Sequence, residues 1–266
     1  MPHAAAFTLT DPARPDRANE DAAVLAGDVA VVVDGAGIPQ RFRAGCSHSV
    51  AWYSHALAEE LARRLREPEA GMRAALAAAI TTIAGLHGDD CDLAAGSPSG
   101  TVVAVRRDRA AGVLEHLVLC DSSLLLAMRD GSVERITDTR VDHLVLDEHT
   151  PEAVEAQRNA PGGFWIARHE VEAAEEALVG STPLAELSCA ILVSDGVTRA
   201  VDLLGMMDDA QLAHRCADVR SACGLLTELR AEEEARASSG SPMPVKIHDD
   251  ATVVMLPARS SDTDVV

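Results

Sequence analysis

Aromatic side chains are almost absent from this chain: two Trp, one Tyr and three Phe in 266 residues. A core built around large rings is excluded, so the interior must be filled by Ala, Val and Leu. Long apolar runs are missing too. No stretch approaches the ~20 residues that cross a bilayer. Residues 1–10 have no basic region followed by an apolar one, so no signal peptide is expected and the chain is read as soluble and cytoplasmic. Cations are scarce, 23 Lys and Arg against 42 Asp and Glu, giving a formal charge of −19. Nucleic acid and anionic membrane surfaces would be repelled, and neither is expected as a partner. Solubility alone accounts for most of that charge. The six cysteines include no Cys-x-x-Cys pair, so neither a disulfide framework nor a thiolate zinc site is expected. Cys46-Ser47-His48 offers two soft ligands, but the sequence displays no matching second pair. Cys120 and Cys189 lie in strand-like apolar runs, where a free thiol behaves as a small hydrophobe.

What is present is apolar sequence, 47% of the chain, spread from residue 24 to 256 without a break. That distribution reads as one domain, residues 1–258, followed by a disordered tail, 259–266. Residues 22–26 and 29–33 read as two strands around a Gly27-Asp28 turn. Ser47 or Ser49 is placed to cap a helix reaching about Arg66, with Val50, Tyr53, Leu57, Leu61 and Leu65 on one face. Pro68 suits the start of a second helix carrying Met72, Leu76, Ala79, Ile80, Ile83 and Leu86 inward. Strand signals follow at 101–106, 114–120, 124–128 and 133–136, with a hairpin turn at 129–132, and together they predict an antiparallel meander. Thr150-Pro151-Glu152 reads as a helix start, Pro161-Gly162-Gly163 as its stop, and 170–179 as helix ending at Gly180. Residues 184–193 are read as mostly strand and 208–237 as mostly helix. Residues 237–242 read as a flexible linker and 251–256 as a last strand. Helices grouped between antiparallel strands predict an α+β layered sandwich.

Four apolar runs share a feature: each meets a carboxylate at one end. They are Val31-Val32-Val33-Asp34-Gly35, Leu117-Val118-Leu119-Cys120-Asp121, Ile191-Leu192-Val193-Ser194-Asp195-Gly196, and Asp249-Asp250 before Ala251-Thr252-Val253-Val254. Buried strands ending this way aim carboxylates from a rigid scaffold. Several converging acids would repel one another unless a hard cation neutralised them. The most economical reading is a carboxylate-lined metal centre with oxygen ligands. Taken singly, Asp34 and Asp195 also fit turn carboxylates capping a loop or helix.

The ordered set Asn19-Glu20-Asp21, Asp34-Gly35-Ala36-Gly37, Ser99-Gly100-Thr101, Cys120-Asp121-Ser122, Ser194-Asp195-Gly196 and Asp249-Asp250-Ala251-Thr252 resembles the metal-dependent serine/threonine phosphatases of the PPM, or type 2C, family, bacterial branch. The resemblance runs from about residue 5 to 257. It implies a four-layer α-β-β-α sandwich with two Mn²⁺ or Mg²⁺ ions at one edge. It also implies that Asp34 bridges the ions, the Gly35 carbonyl binds one, and Asp195 and Asp249 complete the other. Glu20 and Asp21 would orient water around them, and Asp121 with Asp195 would serve a third, weaker ion. The implied substrate is a phosphorylated protein, cleaved at phosphoserine or phosphothreonine, and the chain is taken as a monomer.

Several positions depart from the family pattern. The Arg that usually stands four residues before the Glu is Asp16 here, which leaves Arg17 or Arg14 as the phosphate ligand. Ala36 stands where many eukaryotic members carry His and bacterial members often carry Met. Cys120 replaces a Gly, and Ser123 an Arg. The metal ligands survive these changes, which fall instead on phosphate anchoring and leaving-group protonation. A catalytically weak regulatory module and a small-molecule phosphatase are therefore carried as alternatives. Plainer readings stand beside the sharper ones elsewhere. Glu20 and Asp21 could pair with Arg14 or Arg17, His48 with Trp52 reads as a helix packing pair, and His248 as an exposed loop residue. Glu232-Glu233-Glu234 reads as a solvated helix face.

Overall fold

A computed structural model describes residues 5–36, 39–67, 69–147, 150–239 and 246–259. In chain order the strands are β1 (Phe7–Asp11), β2 (Ala22–Ala26), β3 (Val29–Gly35), β4 (Gly100–Asp108), β5 (Val113–Leu119), β6 (Ser123–Met128), β7 (Val133–Ile136), β8 (Leu178–Pro183), β9 (Leu187–Val193) and β10 (Ala251–Pro257). The helices are α1 (Val50–Leu65), α2 (Met72–Ala84), α3 (Arg140–Asp147), α4 (Pro151–Ala156), α5 (Asp195–Asp202), α6 (Asp209–Cys216) and α7 (Val219–Ser239). Two five-stranded antiparallel sheets result, ordered β1-β10-β9-β6-β7 and β2-β3-β4-β5-β8.

Strand alternation builds the layers. On β3, Val29, Val31 and Val33 pack under α1 and α2, while Ala30 and Val32 face the other sheet. On β9 and β10, Ile191, Val193, Val253 and Met255 meet α5, α6 and α7, while Leu192, Val254 and Leu256 face inward. Three apolar layers thus separate four structural ones, the α-β-β-α sandwich expected. Small branched side chains fill the space between the sheets, as the shortage of aromatics requires.

Local signals explain most boundaries. Ser49 accepts from the Trp52 backbone N–H and caps α1, whose Val50, Tyr53, Leu57, Leu61 and Leu65 are all buried. Thr150 caps α4 through Ala153, with Pro151 in the first turn.

Several expectations are corrected. The second helix starts at Met72 after Gly71, and Pro68 lies outside the described residues. Leu86 falls beyond that helix and is 57% exposed. The strands from 100 to 136 are not one meander: β4 and β5 stay in the first sheet, and the chain crosses to the second at 120–122 before β6. The α4 helix ends at Ala156, before the Pro-Gly-Gly stop. Residues 171–174 form only a 3₁₀ turn, and Leu178–Pro183, Gly180 included, is a strand paired with β5. The 237–242 linker is helical as far as Ser239, the rest lying outside the described residues. Residues 260–266, most of the expected tail, lie outside them too. Strand β1 and helices α3 and α5 have no counterpart in the sequence reading.

The two faces of this reading can be separated by truncation. Leu124, fully buried between the sheets, should cost about 2–5 kcal/mol when changed to Ala. Leu86→Ala should stay within about 0.5 kcal/mol of the parent. Urea unfolding of both variants checks the contrast.

Candidate metal centre

Pairing register brings the acidic turns to one edge. Asp34 sits opposite Thr101 on β4, and Val102 opposite Leu119 places Cys120 and Asp121 just past that level. In the other sheet, Val193 pairs with both Ser123 and Val253, so the end of β9 and the start of β10 share an edge. The Asp195 N–H, in the first turn of α5, donates to Asp34 Oδ2 at 3.4 Å and joins the sheets there. The positive end of that helix faces the Asp34 carboxylate.

Two local features make the approach possible. A Cβ on Gly35 would lie 2.5 Å from the Glu20 carbonyl and from Val50, and one on Gly196 would lie 1.9 Å from the Asp250 carbonyl. Only glycine lets these turns close. Cys120 has φ 67°, the left-handed conformation that normally calls for Gly. The bend swings Asp121 toward the edge.

The acids repel one another strongly. Burial, then Asp195, Asp21, Asp121 and Asp249, raise the Asp34 pKa well above the usual carboxylate range. Burial and Asp249 raise Asp195. Asp121 is pushed up to about 7 by burial and Asp195. Burial likewise lifts Asp21 to about 7, partly offset by the nearby Thr252 and Ser194 hydroxyls, and neither of its oxygens has a hydrogen-bond partner. Glu20 is raised chiefly by burial. Among the described residues these acids do not form a group of three poised to grip one ion. Hard ions that keep several waters do not require such a group. Orphaned buried oxygens and an all-oxygen donor set fit hard divalent cations.

Lys246 supplies the local positive charge. Its Nζ lies 3.0 Å from Asp249 Oδ1, and Asp249, Asp34 and Asp195 together outweigh burial and raise its pKa. The chain thus places its own cation beside the acids.

Asp249 and Asp250 divide the work. Asp250 accepts from the Ala13 and Glu20 backbone N–H groups at 2.7 and 2.6 Å, fastening the segment that carries Arg14 and Arg17. Asp249 keeps its carboxylate at the acid cluster. Both arginines line a cleft of about 600 Å³ with Glu20, Lys246, His248 and Asp249. Arg14 is paired with Asp16 at 2.8 Å. Among the described residues the Arg17 side chain makes no hydrogen bond or ion pair, and its charge reaches Asp16 only weakly. Glu20 and Asp21 are not held by either arginine.

The Glu232–Glu234 run is not a solvated face. Glu233 is fully buried, with Arg199 at 2.6 Å, Arg230 at 3.1 Å and His248 at 2.7 Å. Those arginines also reach the segment bearing Asp249: Arg199 donates to the Ile247 carbonyl at 2.7 Å and Arg230 to the Asp249 carbonyl at 2.7 Å. His248 is half-buried in this network rather than exposed. Sequence reasoning missed Glu233, Arg199 and Arg230; only the inward face of α7 distinguishes Glu233 from its neighbours. It also missed His87 and Cys91, which the fold brings to Cys46 and His48.

Two outcomes are expected. Between 3.8 and about 7, the folded chain holds protons on Asp21 and Asp121 that the unfolded chain has released. Stability without added divalent ions therefore falls as pH rises through that window. Thermal unfolding should show a lower midpoint at about pH 8 than at about pH 5.5, with added Mg²⁺ or Mn²⁺ raising it more at the higher pH. Separately, Glu233→Gln should cost about 3–5 kcal/mol in chemical denaturation, because it leaves the buried Arg199 guanidinium without its carboxylate while Arg230 keeps only Asp11.

No protein-family model and no curated protein matches the chain. Solved structures do. A serine/threonine phosphatase, Stp1 from Staphylococcus aureus, superposes with a TM-score of 0.61 at 16% identity, over 95% of this chain and 94% of that one. The PPM Ser-Thr phosphatase MsPP from Mycobacterium smegmatis, in complex with cacodylate, gives 0.54 at 20% identity over 95% and 97%. The serine/threonine phosphatase PstP/Ppp of Mycobacterium tuberculosis gives 0.56 at 20% over 94% and 96%. Among the described residues no helix is long and apolar enough to cross a membrane. The chain has the fold of the PPM serine/threonine phosphatases, with its acidic turns gathered at one edge of the sandwich.

Proposed function

We propose that this chain is a metal-dependent phosphomonoester hydrolase acting on phosphoserine and phosphothreonine of proteins. The observation that carries the reading is the set of acids around Asp34, close enough that Asp195, Asp21, Asp121 and Asp249 all raise its pKa. Asp34, the Gly35 carbonyl, Asp195 and Asp249 would hold two Mg²⁺ or Mn²⁺ ions, with Asp121 serving a third. Such ions, once bound, supply an activated water and neutralise phosphoryl oxygens.

The chain's own residues would do the rest. Glu20 and Asp21 would orient water at the cluster. Arg17, unpaired at the cleft, would grip phosphoryl oxygens with its planar fork. Arg14 is already engaged by Asp16. Ala36 has no proton to give, and His248 Nδ1 is committed to Glu233, so the leaving oxygen would draw its proton from water in the cleft. On this reading residues 1–258 are one catalytic domain of a soluble, cytoplasmic monomer.

An aryl phosphate assay tests it. Turnover should require added Mn²⁺ or Mg²⁺, and Asp34→Asn should cut it beyond the roughly 10–100-fold typical of residues that merely support a ligand. Arg17→Ala should lower kcat/KM by about 10–150-fold while Arg14→Ala changes little, as expected for a charge-assisted contact worth about 1.5–3 kcal/mol. Phosphopeptides should be cleaved faster than phosphorylated metabolites. Metal binding without turnover would instead favour a regulatory module.

A further inference from the structure

On the far side of the loop that follows β3, a second cluster lies apart from the acids. Cys46 and His48 precede the Ser49 cap of α1, and His87 and Cys91 follow the end of α2. Cys46 Sγ lies 3.4 Å from His48 Nδ1 and 3.3 Å from His87 Nδ1. Cys91 Sγ lies 3.6 Å from Cys46 Sγ and 3.5 Å from His48 Nδ1. All four ligand atoms fall within 4.8 Å of one another.

Four of the six separations lie close to the edges of a zinc-centred tetrahedron, and the other two are within 4.8 Å. With zinc–sulfur bonds of about 2.3 Å and zinc–nitrogen bonds of about 2.0–2.1 Å, ideal edges are about 3.8 Å for S···S and about 3.6 Å for S···N. Hydrogen bonding alone does not account for the cluster. Cys46 Sγ meets two imidazole nitrogens and a second sulfur, and also accepts the His48 backbone N–H at 3.3 Å. A thiol has one proton to share among these neighbours; a thiolate bound to a cation satisfies them all. Both cysteines are free, and their 3.6 Å separation is well beyond a sulfur–sulfur bond of about 2.05 Å.

The surroundings suit a closed site. Trp52 packs against both imidazoles, with ring centroids 4.0 Å from His48 and 5.0 Å from His87. The Asp92 N–H donates to the Gly45 carbonyl at 2.7 Å, closing the two loops against each other. Four protein ligands leave no open position, which marks a structural site rather than a catalytic one.

We propose that Cys46, His48, His87 and Cys91 bind one structural Zn²⁺. The ion staples the loop leaving Asp34 and Gly35 to the loop leaving α2. It thereby fixes the start of α1, whose Val50 lies against Gly35. Its soft sulfur and nitrogen donors share no residue with the oxygen-rich cluster, so the inference is independent of the proposed hydrolase activity.

Metal analysis of the full chain, purified without chelator, tests this. About one zinc per chain should be retained, and it should be lost in Cys46→Ser and Cys91→Ser. His48→Cys keeps four ligands and should retain the zinc, which separates ligand loss from misfolding. Asp34→Asn should retain it as well. Cobalt added to metal-free protein should give the intense visible bands of tetrahedral Co²⁺ and a thiolate charge-transfer band, neither of which carboxylate ligands produce. Zinc absent with both thiols titratable, a Cys46–Cys91 disulfide in unreduced peptides, or zinc lost in Asp34→Asn but kept in Cys46→Ser would each overturn the proposal.

Discussion

Like charges held close are the constraint on which this structure turns. Asp34, Asp195, Asp121, Asp249, Asp21 and Glu20 would separate if their backbones were free, since each raises the cost of ionising another or suffers burial itself. They stay together because each is attached to an element whose position is decided elsewhere. Asp34 ends a strand buried on both faces, Asp195 opens a helix packed on the second sheet, and Asp249 leads into β10. The apolar layers supply the restraint. Much of the folding free energy comes from burying Val, Leu and Ala far from the edge, and the edge can remain electrostatically strained as a result.

Two polar devices carry that restraint across the last few residues. Asp250 binds two backbone N–H groups of the N-terminal segment, so the loop bearing Arg17 is positioned by the same turn that positions Asp249. Glu233 works from the opposite side. Buried with two arginines and a histidine, it holds the guanidinium groups that bind the Ile247 and Asp249 carbonyls. A buried carboxylate with a single partner would be a poor investment of desolvation; one with three partners becomes a rigid hub.

The parts of this arrangement legible in the sequence were those written in contiguous residues. The runs ending at Asp34 and Asp195 showed their strands because both faces are buried, and Ser49 and Thr150 showed helix starts because capping is local. Strand β8 was not legible. Its Leu178-Val179-Gly180-Ser181 stretch is exposed, so no burial pattern distinguishes it, and pairing with β5 decides its conformation. Helix α5 was hidden because Asp195-Gly196 looks like a turn until the Gly196 contact with the Asp250 backbone is known. The same limit applies to Glu233, which one-dimensional sequence cannot separate from Glu232 and Glu234. It applies to Cys46-Ser47-His48 as well, whose partners lie some forty residues away across two packed helices.

The two clusters also sort themselves by chemistry. Oxygen donors at the sheet edge are strained by burial and suit hard cations that keep water and exchange. Sulfur and nitrogen donors beside Trp52 are drawn to tetrahedral spacing, which suits an ion that is fully enclosed and stays. A hard ion gains little from thiol and imidazole, and zinc at the oxygen cluster would find no thiolate. Ligand type therefore keeps the two sites from competing. The loop from Gly35 to α1 has one end fixed by the strand that delivers Asp34. Its other end lies at the soft cluster, so the position of the carboxylate edge depends on both.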